Sequence, residues 1–173
     1  MARFSLHAVG PNQREIVAAV TESLAEIGCN LEDSRMSLLH GQISMVLVLE
    51  APGIANGMVI EEALAPLLED YALQLFVRSL GEQVDCEDPG DLVSVVVDGA
   101  DHPGTVARIA RAIAECGGTI VDLVGHVILE GGTTPSQLRL TASVERAAAP
   151  ALRRRLDGLA EELGMRCEFR HGD

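Results

Sequence analysis

Residues 10–33, GPNQREIVAAVTESLAEIGCNLED, and residues 99–122, GADHPGTVARIARAIAECGGTIVD, are two copies of one pattern. The copies align without a gap at an offset of 89 positions. The matched pairs include Gly10 with Gly99, Val17 with Val106, Ala18 with Ala107, Leu24 with Ile113, Ala25 with Ala114, Glu26 with Glu115, Gly28 with Gly117 and Asp33 with Asp122. Unrelated helices can share apolar positions, but glycines matched at both ends of a helical pattern indicate a duplication.

Each copy begins with a strand that leads into a helix. The β-rich runs at residues 3–9 and 92–97 end close to the first glycine of each copy. The following apolar residues recur at helical spacing, and Gly28 and Gly117 provide the stop, because glycine adopts a left-handed cap without steric strain.

Two strands and a second helix complete each half. Residues 30–39 and 42–50 form a predicted hairpin at His40-Gly41. Residues 119–129 and 138–144 form its counterpart across a longer turn. Strict period-two alternation predicts a sheet that is covered on one face. It is shown by Leu138, Leu140, Ala142 and Val144, and by Met165, Cys167 and Phe169. The second helices supply the cover with Ile60, Leu64, Leu67 and Tyr71, and with Leu152, Leu156, Leu159 and Leu163.

Together, these elements predict an α+β protein of two tandem ferredoxin-like βαββαβ domains, with antiparallel sheets and helices on one face. The predicted domains span residues 1–80 and 92–173, and the acidic segment 81–91 is the predicted linker. Pro66 lies inside the second helix of the first domain, where it is expected to kink or shorten that helix.

Composition excludes several classes of function. The 173 residues carry a net charge of −13, and all 13 basic residues are arginine. A P-loop lysine and a Schiff-base lysine are therefore excluded, and direct nucleic-acid binding is disfavoured. The histidines and cysteines lack metal-ligand spacing, so we expect no metal and no cofactor. The first 12 residues lack a signal-peptide pattern, and apolar runs are too short to span a bilayer, which predicts a cytoplasmic protein without membrane association.

The loop Asp101-His102-Pro103-Gly104 is the main candidate for ligand binding. Pro103 suits the first helical position, Asp101 can cap the helix, and Gly104 permits close approach of the backbone to another molecule. The N–H groups at a helix start can hold a carboxylate, while an aspartate oxygen accepts from an α-ammonium. The alternative is that Asp101 and Pro103 only start a helix.

The equivalent loop of the first half is Gly10-Pro11-Asn12-Gln13-Arg14-Glu15. Asn12 keeps a polar capping side chain that can both donate and accept hydrogen bonds. Glu15 occupies the position of Gly104, and its charge disfavours the approach of a carboxylate. Asn30 begins the next strand and is expected beside this loop; the alternative is a polar residue that follows the helix-ending Gly28.

These loops and the repeat resemble the ACT domain, a family of small-molecule regulatory modules with the βαββαβ fold. Residues 10–20, 28–34 and 40–45 are similar to the glycine cleavage system transcriptional repressor group, itself a tandem pair. The family pattern in the loop is Asp-Arg-Pro-Gly. The second repeat keeps its first, third and fourth members, whereas the first repeat departs at residues 12–15.

The resemblance also implies a set of ligand-binding residues. Asn12 and Asn30 match two asparagine positions that hold serine in the regulatory domain of phosphoglycerate dehydrogenase, and Asp101 and Thr119 are their counterparts. The complete predicted set is Gly10, Asn12, Gln13, Asn30, Gly99, Asp101, His102, Pro103, Gly104 and Thr119.

Three functions follow as hypotheses. The first is a regulatory sensor that binds a small amino acid, similar to glycine or serine, between two modules and modulates a protein partner. The resemblance implies a transcription activator as that partner, without direct nucleic-acid contact, and a homodimer as the assembly. The second is a ligand-independent interaction module. The third is an enzyme with His102 as a base, which we do not expect because no nucleophile or metal motif accompanies this histidine.

Overall fold

The computed structural model describes residues 2–54, 56–81, 90–100, 102–127 and 135–171. It divides into two compact units, Met1–Asp85 and Cys86–Asp173, which we call the first and second modules. Each module has the element order βαββαβ, so the predicted tandem ferredoxin-like fold is confirmed. Most of the expected linker, residues 82–89, lies outside the described residues.

The two modules have closely matched elements. The first contains β1 (Ala2–Pro11), α1 (Ile16–Glu26), β2 (Asn30–Leu39), β3 (Gln42–Ala51), α2 (Met58–Asp70) and β4 (Gln74–Leu80). The second contains β5 (Asp91–Ala100), α3 (Thr105–Glu115), β6 (Thr119–Val127), β7 (Pro135–Val144), α4 (Ala149–Leu163) and β8 (Arg166–His171). Helix α2 continues past Pro66 to Asp70, so the proline does not end the helix; Ile60 and Leu64 anchor it in the core.

Each sheet is antiparallel and has its first strand near the centre. The strand orders are β2-β3-β1-β4 and β6-β7-β5-β8. Alternate residues of β1, β3 and β5 are buried under the two helices of the same module, as a period-two pattern predicts. The central strands contribute Phe4, Leu6 and Ala8 to one core, and Val93, Val95 and Val97 to the other.

None of the helices in the described ranges lies on the other side of its own sheet, and we call that side the open face. On the first module it includes His7 of β1 and Phe76 of β4, both exposed. The edge strand β2 is exposed along its whole length. In the described part of the chain, every helix is too short or too polar to cross a membrane.

The hairpin between β2 and β3 has the predicted turn. His40 and Gly41 have φ values of 48° and 75°, the pair of left-handed conformations that characterises a type I′ turn. The corresponding turn of the second module, residues 128–134, lies outside the described residues.

Candidate functional site

Both strand-to-helix loops turn through a left-handed residue. Gly104 is the N-cap of α3 with φ 87°, and Glu15 is the N-cap of α1 with φ 68°. Glycine adopts this conformation freely, whereas a residue with a β-carbon is strained by roughly 1–2 kcal/mol. The alignment of Glu15 with Gly104 is the sequence signal that could have located this turn in the first module, because the glycine of the second copy is typical of a left-handed position.

The helices therefore begin later than the capping residues predicted. The N-caps lie three residues beyond Asn12 and Asp101, because the chain needs the left-handed turn before it can enter the helix. The prediction that Asn12 caps α1 is wrong, because Glu15 is the N-cap and no side-chain cap hydrogen bond forms there. Pro103 precedes the N-cap instead of occupying the first helical turn. Asp101 lies outside the described residues.

The first turns of α1 and α3 keep open backbone donors. At α3 the Thr105 amide and hydroxyl both donate to the His102 carbonyl, at 3.2 and 2.9 Å, and close the preceding turn. No described side chain caps the N–H groups that follow. Uncapped N–H groups at a helix start favour an anion, and a carboxylate is a suitable one.

The loop residues are accessible, but parts of the first loop are already bonded. His102, Pro103 and Gly104 are exposed, as are Asn12 and Gln13. The Asn12 amide donates to the Gly41 carbonyl at 2.8 Å. The Gln13 carboxamide donates to the Tyr71 carbonyl at 3.1 Å. The hairpin and the end of α2 thus fix the first loop on two sides.

Gly10 and Gly99 face their own module. A β-carbon on Gly10 would lie 3.0 Å from both the Ala72 carbonyl oxygen and Leu73 Cδ2. A β-carbon on Gly99 would lie 2.7 Å from Met165 Cγ. Packing against the segment that enters the last strand therefore explains both glycines, without any contact to a ligand.

Asn30 lies at the opposite end of the sheet from the first loop. Asn30 pairs with Glu50, which pairs with Arg3 near the start of β1. The loop follows Pro11, eight residues farther along β1, a distance of about 26 Å at the rise of a strand. The expectation that Asn30 lies beside this loop is wrong, because α1 returns the chain to the end of the sheet where β1 starts.

Thr119 repeats this arrangement in the second module. It pairs with Ser143, which pairs with Leu92 near the start of β5, whereas the second loop follows Ala100 at the other end. One small ligand can thus contact the loop or the strand start of a given module, but not both. A site that uses both requires two modules.

Charge distinguishes the two strand starts. Near Asn30, Arg3 forms an ion pair of 2.7 Å with Glu32, and this hydrogen bond raises the pKa of Arg3. The corresponding position in the second module is Leu92. A ligand at Asn30 would therefore meet the Arg3–Glu32 pair, whereas a ligand at Thr119 would meet Leu92 at the equivalent of Arg3, with the Asp91–Arg146 pair beside it.

Two cysteines are poor nucleophiles at neutral pH. Burial raises the pKa of Cys29, next to Asn30. Burial also raises the pKa of Cys167 to about 11, with a smaller contribution from Asp157. Since the thiolate is the reactive form, both thiols are suited to packing and not to covalent chemistry.

Comparisons with known proteins agree with this architecture. The family model described as ACT domain matches residues 3–85 and again residues 92–170. The glycine cleavage system transcriptional repressor of Escherichia coli (strain K12) is 24% identical over 143 residues, which cover 82% of this chain and 74% of the repressor.

Two solved structures have the same fold over nearly the full length. A protein of unknown function from Galdieria sulphuraria has a TM-score of 0.86 at 22% identity, with 99% of each chain covered. A protein provisionally described as a glycine cleavage system transcriptional repressor has a TM-score of 0.71 at 17% identity, with 99% of this chain and 98% of that chain covered.

Proposed function

The chain belongs to the ACT domain family, with two copies of the domain in tandem, and we propose that it is a non-catalytic regulator that binds a small amino acid and modulates a protein partner. The observation that carries the proposal is the left-handed start of α1 and α3, which no described side chain caps, beside exposed loop residues. Such a helix start presents N–H groups to a carboxylate without supplying a nucleophile or a base.

The proposed ligand is an amino acid similar to glycine or serine. Its α-carboxylate accepts hydrogen bonds from the first N–H groups of the helix, and the oxygen of Asp101 or Asn12 accepts from its α-ammonium. Asn30 and Thr119 contact the ligand from the second chain, because they lie far from the loop of their own module. The proposed assembly is a homodimer in which modules of two different chains enclose each ligand.

The second loop is the stronger of the two proposed sites. A β-carbon built on Gly104 meets nothing within 4 Å, so a ligand has open space there. Glu15 places a carboxylate at the equivalent position of the first loop. Repulsion between two carboxylates disfavours an amino acid at that loop.

The proposed partner is a protein of transcriptional control, as the relationship to a transcriptional repressor suggests. The net charge of −13 supports regulation through a protein instead of direct nucleic-acid contact. A cytoplasmic location fits this role. Ligand binding would shift the affinity for the partner by about 1–3 kcal/mol, the usual size of such coupling.

A thermal-shift panel of the twenty amino acids at millimolar concentration tests the proposal. A ligand at ten times its Kd should stabilise the protein by about 1.4 kcal/mol. The Gly104→Glu variant, which copies the first loop, should lose the ligand-dependent shift. Gly164→Glu serves as the matched control: it adds the same charge at another left-handed glycine of the second module, outside the predicted ligand set, and should keep most of that shift. If no amino acid stabilises the wild-type protein, the sensor role fails.

A second candidate is a ligand-independent interaction module, and the open face of the first module favours it. Phe76 is 59% exposed and lines, together with Val9 and Val46, a cavity of about 370 Å³. Exposed apolar patches of this kind often mark protein interfaces. Capture of the partner with equal yield in the presence and absence of amino acids would support this function over the sensor.

A further inference from the structure

The groove between α3 and α4 is a basic cavity in an acidic protein. The chain has a net charge of −13, yet this cavity of about 350 Å³ is lined by four arginines. These are Arg108, Arg111, Arg154 and Arg155. They make up nearly a third of the 13 arginines in the chain, so the local charge is opposite to the overall charge.

Two ion pairs cross the groove and hold its sides. Arg108 of α3 pairs with Glu162 of α4, and Arg155 of α4 pairs with Glu115 of α3. Because the helices run antiparallel, the two pairs bridge the groove at different levels. Side chains held in this way are partly ordered before a ligand arrives, which lowers the entropy cost of binding.

The other two arginines are available to a ligand. Arg111 and Arg154 are exposed, and neither has an ion-pair partner in the part of the chain that the structure describes. A guanidinium stays charged at every physiological pH and donates two parallel hydrogen bonds to a phosphate or carboxylate. Two unpaired guanidinium groups in one cavity therefore suit a ligand with more than one anionic group.

Small residues give the groove its depth. Gly158 lies in the middle of α4 and Ala112 lies on α3, and both line the cavity. A β-carbon on Gly158 would meet nothing within 4 Å, so the space beside it is open. Glycine is unfavourable inside a helix, and packing within the module does not require it at this position.

The first module shows that the fold does not need these charges. The first-helix equivalents of Arg108 and Arg111 are Ala19 and Glu22. When Ile60 and Leu64 are matched with Leu152 and Leu156, the second-helix equivalents of Arg154, Arg155 and Gly158 are Glu62, Ala63 and Pro66. The same groove is thus acidic in one module and basic in the other.

We propose that the groove between α3 and α4 binds a small multivalent anion that carries two or more phosphate or carboxylate groups. Arg111 and Arg154 contact the anionic groups, and the two interhelical ion pairs position Arg108 and Arg155 around them. The volume lies within the range of small-molecule sites. None of the four arginines belongs to the proposed amino-acid set, so either site can exist without the other.

Calorimetric titration of the full chain with pyrophosphate and with citrate, at constant ionic strength, tests the proposal. We expect saturable binding of one anion per chain for at least one probe, and the stronger probe identifies phosphate or carboxylate as the preferred group. The double variant Arg111→Ala and Arg154→Ala should weaken binding at least tenfold. The matched control, Arg146→Ala with Arg153→Ala, removes two arginines outside the cavity and should change affinity less than twofold.

A shape variant separates a cavity from a diffuse field of charge. Gly158→Leu keeps every charge, places a good helix former in α4 and fills the open space, so it should abolish binding while the melting temperature is maintained. The proposal is overturned if neither probe binds the wild-type chain, or if both double variants weaken binding equally. If neither probe binds, altered self-association of the Arg111→Ala and Arg154→Ala double variant would identify the groove as a protein contact instead.

Discussion

On the open face, the residues that lie side by side across the middle of β3, β1 and β4 differ at every position from those across β7, β5 and β8. In the first module Phe76 and Val46 flank His7, and the His7 and Phe76 ring centroids are 6.2 Å apart. In the second module Glu168 and Arg139 flank Val96 in the same register. Across these three strands, Phe76 and Val46 beside a histidine thus correspond to Glu168 and Arg139 beside a valine. The edge strands add Arg35 to the first row and Val124 to the second.

The helix-covered faces of the same strands changed far less. Phe4, Leu6 and Ala8 on β1 correspond to Val93, Val95 and Val97 on β5, and all six are buried. Burial of apolar area stabilises both modules, so these positions accept only changes of size. Residues on the open face and in the helix groove carry no such constraint, so they can differ between the modules without loss of the core.

Substitution of the packed glycines should have the largest effect on stability, because they belong to the shared part of the comparison. Gly99→Ala and Gly10→Ala should each lower the free energy of unfolding by roughly 2 kcal/mol, since the added β-carbon meets Met165 in one module and Ala72 with Leu73 in the other. Urea unfolding followed by circular dichroism measures the loss.

Gly81 provides the control for these glycines, because a β-carbon there meets nothing within 4 Å. Gly81→Ala should leave the free energy of unfolding almost unchanged. If all three variants are equally stable, packing does not explain Gly10 and Gly99, and a ligand-facing role for them regains support.

Substitutions at the two left-handed helix starts should change the free energy of unfolding by smaller amounts. The sign of the change should differ between the two modules. Gly104→Ala should destabilise the protein by about 1 kcal/mol, since alanine is strained at φ 87°. Glu15→Gly should stabilise it by up to about 1 kcal/mol, because glycine removes the strain at φ 68° but has more freedom in the unfolded chain. Unfolding curves of the two variants supply the measurement. A loss of stability in Glu15→Gly would mean that the Glu15 side chain makes a stabilising interaction.

Most of the fold could be predicted because it depends on periodicity and glycine chemistry. The alternation in Leu138, Leu140 and Ala142 identified the buried face of β7, and His40-Gly41 identified the hairpin. The left-handed Glu15 could not be predicted from its own chemistry, because residues with a β-carbon seldom adopt that conformation.

The candidate site was predicted less completely because it depends on which residues meet in space. The position of Asn30 was predictable in principle, because a helix that follows β1 must return the chain to the start of that strand. The groove arginines were visible as Arg108 and Arg111, three residues apart on one helix, but their meeting with α4 depends on how two helices pack. Sequence spacing describes one element at a time, and both sites involve several elements.

The exchange of the open-face rows should have the smallest effect on folding, and it tests the comparison most directly. The first module with Phe76→Glu, His7→Val and Val46→Arg acquires the row of the second module. Each substitution should change the free energy of unfolding by less than about 0.5 kcal/mol, because the row contributes little to the core.

The second module with Glu168→Phe and Arg139→Val acquires the apolar residues of the first. This variant should also fold, but it should self-associate more in sedimentation experiments, since it has a second apolar face. Unfolding of the first variant would show that His7 and Phe76 stabilise the module itself, and their difference from Val96 and Glu168 would then reflect two ways to build the sheet instead of two binding surfaces.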